Sequence, residues 1–255
     1  MPGYPSIRSP STDTLREPAP VVPAPVLGNS GRLALVAETY RGRLLGQMRT
    51  YAVAGFTAEQ YRRLLSAHWH LLASLAQGAF AVAGHDWART APSLRTPLLR
   101  LGLRWEAARA LANDDLLALK LAPGPLPVDV HLWRMHFMRQ IDGDLPSAFI
   151  GAAAIQDQFL SGSVGDAMRE ALGRAGIPAG ASRCLQRLMS DAGEHFEPLW
   201  NGLDRASTDA TDDDALWLGA RVAGLMLLRL YHACLDDDCP SHEIEALLDP
   251  EAMSD

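Results

Sequence analysis

The sequence predicts an all-α fold, a helical bundle of about seven main helices around one core. Three observations lead there. Apolar residues recur at three- and four-residue spacing through most of the chain, the period of a helix with one buried face. No segment shows the apolar/polar alternation of a strand, and no fixed-period repeat marks a solenoid.

Residues 1–30 are rich in Pro, Ser and Thr, with PAPVVPAP at 18–25. Such a segment buries too little apolar area to offset its ordering entropy, so it reads as a disordered tail. Residues 31–255 read as a single helical domain. The first helix spans Leu33 to Val53. Thr57 followed by Gln60 has the form of a capping box and opens a second helix to about Val82. Pro97 suits a first helical turn, with a helix from there to Leu121 stopped by PGPLP at 123–127. Val128 to Ile141 is a further helix, ended by Asp142-Gly143-Asp144. Pro146 to Leu160, Val164 to Ala175, Ser182 to Leu203 and Asp213 to Leu235 complete the set, and a short helix is expected from His242.

With 48% hydrophobic residues in 255, the chain can bury one sizeable core. Its net charge of −7 repels phosphate backbones and anionic lipid alike, so neither nucleic acid nor a membrane is an expected partner. The late apolar run from Val222 to Leu235 is interrupted by Arg229 and His232 and is too short to cross a bilayer. The cysteines Cys184, Cys234 and Cys239 do not make a disulfide framework, and a reducing cytoplasm is the simplest setting. The expected partner is a small-molecule substrate or ligand, with a homodimer among the open assemblies.

Several polar residues fall where they need an explanation. His68 and His70 flank Trp69 on one helix and point apart, so they do not chelate one metal. Either can line a cavity, and a partly exposed face is the simpler account. His232, Cys234, Cys239 and His242 carry metal-capable side chains, at a spacing unusual for zinc. Cys184 has no dedicated base beside it in sequence, and core packing is its default reading.

Four stretches stand in a recognisable order: Ala153-Ala154-Ile155-Gln156-Asp157-Gln158-Phe159-Leu160-Ser161, Gly176-Ile177-Pro178, Asp191-Ala192-Gly193-Glu194-His195-Phe196-Glu197 and Arg229-Leu230-Tyr231. On these residues the segment Ala153 to Leu235 resembles the heme-oxygenase-like superfamily. The nearest branch holds iron-containing oxidases, thiaminase II and pyrroloquinoline-quinone synthase. In its metal-binding members one helix gives a Glu and, seven residues on, a His. A later helix gives a carboxylate, and a third gives His, Asp and His at i, i+4 and i+7. These spacings return to one helical face. Carried onto this chain, they fall on Glu106 and Asn113, on Gln158 (Gln156 in a shifted register), and on Leu188, Ala192 and His195. A one-residue shift of the triplet gives Arg187, Asp191 and Glu194. The site is therefore degenerate, with Glu106 and His195 as the remaining iron ligands and catalytic candidates. His70, Asn113, Gln158, Asp191 and Tyr231 are the substrate-binding candidates. Heme is not expected, because Leu33 to Val53 contains no axial His. The resemblance implies a small-molecule oxidase with an atypical iron site or no cofactor. The lost ligands imply the alternative, a non-catalytic paralogue that binds a small molecule or partners an active homologue.

Overall fold

The computed structural model describes residues 28–84, 92–124, 131, 146–192, 196–205 and 213–235. They form eight α-helices and one short 3-10 turn, with no strand among the described residues. Helix α1 spans Asn29–Ala54, and its buried residues Leu33, Ala37, Tyr40, Leu44 and Met48 make a single stripe. The chain leaves α1 at Gly55, whose φ of 80° and contact with the Arg174–Ala175 backbone leave no room for a side chain.

Helix α2 spans Ala58–Gly84. The capping box forms as the sequence implies: Thr57 N–H donates to Gln60 Oε1 (2.9 Å), and Gln60 N–H donates to Thr57 Oγ1 (3.1 Å). Helix α3 spans Pro92–Ala118 and corrects the expected start. Pro92, not Pro97, takes the first-turn place, and Pro97 lies inside the helix. Pro97 has no N–H to give the Ser93 carbonyl, which instead abuts Gly202. Past Ala118, the Leu121 N–H turns back to the Leu116 carbonyl around Lys120, the one non-glycine residue at positive φ among those described.

Helix α4 spans Pro146–Gln158 and α5 spans Gly162–Arg174. After a 3-10 turn at Ala179–Ala181, α6 runs Arg183–Asp191 and α7 runs Phe196–Arg205. The sequence predicts one helix over Ser182 to Leu203. The structure ends it at Asp191, because Ala192 turns to extended backbone (ψ 116°). Helix α8 spans Asp213–Leu235, as expected. The expected helices at Val128–Ile141 and from His242 lie outside the described residues, apart from an exposed His131. So do residues 1–27 of the expected tail, whereas Asn29 and Ser30 already belong to α1.

The bundle is built around α2, α4 and α8. Helix α2 packs on α3 and α8, α4 on α8, α1 on α5 and α8, and α3 on α6 and α7. Every residue of α4 from Ser147 to Asp157 is buried. Helices α4 and α8 meet backbone to backbone: a methyl on Gly151 would strike the Leu216 carbonyl, and one on Gly219 would strike the Ala148 carbonyl. The last carbonyl of α8, at Leu235, accepts from Tyr51 Oη (2.7 Å) and Gln60 Nε2 (2.6 Å), so α1 and α2 satisfy its open end. Asp214–Leu235 is long and apolar enough to cross a membrane by length and composition (mean hydropathy 1.2), longer than the Val222–Leu235 run judged too short from sequence. Half of it is buried inside the bundle.

Candidate functional site

The polar residues divide among three places. The first is a recess of about 290 Å³ between α2 and α3, lined by Trp69, Glu106, Arg109, Ala110 and Asn113. Glu106, Ala110 and Asn113 are i, i+4 and i+7 on α3, so one helical face presents them together. That face looks outward, and Glu106 is exposed. The inward set on α3 is Arg104, Trp105, Ala108, Ala112 and Asp115. The Arg109 guanidinium lies 4.6 Å from the centre of the Trp69 ring, a cation–π contact. Its Nε is buried with no hydrogen-bond partner. His70, one residue beyond Trp69, uses Nε2 to donate to the Gly124 carbonyl (3.2 Å), and Gly124 N–H donates to Ser66 Oγ (3.0 Å). His70 thereby ties down the chain that follows α3.

The second place is an ion network in the bundle interior. Arg104 on α3 pairs through Nη1 with Asp157 Oδ1 on α4 and through Nε with Asp191 Oδ2 on α6 (3.4 Å). Arg187 Nε reaches the same Asp191 oxygen at 2.5 Å. Two guanidiniums and two carboxylates balance, which is what lets Arg104, Asp157 and Asp191 be buried. Gln158, the last residue of α4, is half-buried. Leu188 is a core side chain.

The third place joins α2 to α8. His68 is fully buried and its Nε2 lies 2.9 Å from Tyr231 Oη, while Nδ1 has no partner. Burial lowers the His68 pKa to about 4 and raises that of Tyr231 well above its ordinary value. Both are therefore neutral at physiological pH. Burial also raises the Cys184 thiol and pushes Cys234 up to about 12, so neither offers a thiolate. Asp115 caps α6 from a distance, accepting from Cys184 N–H (2.7 Å) and Arg183 Nε (3.2 Å). His232 Nδ1 lies 3.2 Å from Gln47 Nε2.

The structure thus brings Glu106 and Asn113 together and separates them from Asp191, which belongs to the ion network, and from Tyr231, which belongs to His68. His195 and Glu194 lie outside the described residues. Among the described residues no group of three or more His, Cys, Asp or Glu could hold a metal ion. Of the positions that the resemblance implies for iron, Glu106 is exposed beside a neutral amide and Asp191 is already neutralised by two arginines. Sequence reasoning did not find Arg104, Asp157, Trp69 or Arg109. A signal existed for Asp157, since a carboxylate two residues beyond the apolar run Ala152-Ala153-Ala154-Ile155, on a helix this apolar, must find a buried partner.

No protein-family model matches the chain, and no curated protein matches it. The likeness in helix order to the heme-oxygenase-like superfamily gains no support from these comparisons.

Proposed function

We propose that the chain is a non-catalytic helical bundle of heme-oxygenase-like type that binds a small polar molecule in the recess beside Trp69. One observation carries the reading. The recess sets a guanidinium fixed over an indole beside a carboxylate and a carboxamide. These groups offer a flat apolar wall, an acceptor in Glu106, a cationic donor in the Arg109 guanidinium, and both donor and acceptor in Asn113. Small-ligand sites combine such a wall with a few fixed polar groups, and about 290 Å³ falls at the small end of their range. The net charge of −7 and the cysteine usage support the expectation of a reducing cytoplasm and of partners other than nucleic acid or a membrane.

The committed interior carboxylates favour binding over oxidation. The test is a thermal-shift screen of small polar metabolites on the full chain, with iron content and oxygen uptake measured on the same iron-supplemented protein. The reading expects a stabilising ligand whose effect is lost in Glu106→Gln and Arg109→Gln. Two coupled irons per chain with ligand-dependent oxygen uptake would instead make the protein an oxidase.

A further inference from the structure

A second concavity, distinct from the recess beside Trp69, lies between the start of α3 and the outer face of α7. It is a groove of about 480 Å³ whose lining includes Ser93, Thr96 and Arg100 from α3 and Asn201 and Arg205 from α7. Ser93 Oγ donates to the Gly202 carbonyl (3.2 Å), and Gly202 has no room for a side chain against Ser93, so the two helices are locked together beneath the groove. Arg100 and Arg205 are both exposed, and neither forms an ion pair among the described residues. In this chain of net charge −7, Arg41, Arg62, Arg104, Arg169, Arg183 and Arg187 have carboxylate partners, whereas exposed Arg49 and Arg95 have none among the described residues; Arg100 and Arg205 differ from those two in lining one groove together. No carboxylate lines the groove among the described residues.

We propose that this groove is a binding site for a small phosphate monoester. Two guanidiniums from two helices carry a charge of +2, which a phosphate monoester of about −1.5 to −2 balances and a single carboxylate of −1 does not. The three terminal oxygens of a phosphate meet both forks and leave sites for the Thr96 hydroxyl and the Asn201 amide. Pro97 and Pro198 complete the lining as apolar walls against which the organic part of the ester rests.

The experiment is calorimetric titration of the full chain with glycerol 2-phosphate, inorganic phosphate and succinate at constant ionic strength. The monoester should bind saturably, and more tightly than inorganic phosphate or succinate. Arg100→Gln and Arg205→Gln should each weaken it about tenfold, the value of one charge-assisted hydrogen bond. Arg49→Gln, an exposed change on α1, should leave it unaltered. Should a glutamine variant lose its helical circular dichroism, Arg100→Lys and Arg205→Lys keep the charge but lose the fork, and should still weaken binding several-fold. The proposal is overturned by absence of saturable monoester binding up to about 10 mM. It is overturned equally by succinate binding more tightly than the monoester, or by folded Gln or Lys variants that bind like the wild type.

Discussion

His68 is held in the core beside Tyr231, and it is where acid acts on this fold. Burial lowers its pKa from 6.5 to about 4. Between those values the unfolded chain takes up a proton that the folded chain refuses. The contribution of His68 to stability is therefore complete above about pH 6.5 and lost progressively as pH falls toward 4, by up to about 3 kcal/mol. Denaturant titrations of the wild type and His68→Phe across that window should diverge, with the wild type losing stability more steeply. Parallel curves would show that the ring gains a proton without penalty. Residue identity alone could not place this group, since a His at this helical position fits an exposed face as well as a buried one. What decides it is Tyr231, far away in sequence. The same limit explains Glu106. The register implied by the resemblance turns it inward, but its neighbours Arg104 and Trp105 take the inner face of α3, and successive helical residues point apart. By contrast, Thr57 and Gln60 were legible because a capping box is closed within four residues.

Helices were readable from periodicity, and their partners were not. The Asp213–Leu235 helix kept its expected ends, whereas the pattern over Ser182 to Leu203 runs on through a break that only backbone geometry at Ala192 reveals. Two seams between helices are open to test. At the α4–α8 crossing, Gly151→Ala or Gly219→Ala must push two backbones apart, which should cost roughly 3 kcal/mol or more in chemical denaturation. A loss below about 0.5 kcal/mol would mean the crossing yields freely. At the interior ion network, Arg104→Met removes the buried guanidinium that pairs with both Asp157 and Asp191, leaving Arg187 as the arginine still on Asp191, and should cost about 3–5 kcal/mol. Adding Asp157→Leu and Asp191→Leu to that variant should recover most of the loss, because the only charge left from the network, Arg187, is exposed to solvent. If the triple variant stays as unstable as the single one, the network does more than neutralise itself.

At the scale of the whole molecule, the core is wrapped around a helix with no outer face. From Ser147 to Asp157 each side chain of α4 is covered, and its backbone lies against α8 at Gly151. Helix α1 is different, with Leu35, Glu38, Thr39 and Arg49 turned to solvent. This has a consequence for the timing of hydrogen exchange. A helix with a wet side can fray or breathe one turn at a time, so α1 amides should trade protons for deuterons through local openings. The amides from Ile150 to Asp157 have no such route. They can reach solvent only when the bundle itself comes apart, so their exchange should report the global unfolding free energy and rise together with denaturant. Mass-spectrometric exchange would show this as one late, cooperative step for peptides covering α4. If those peptides exchange as early as α1, the bundle opens at its centre without unfolding.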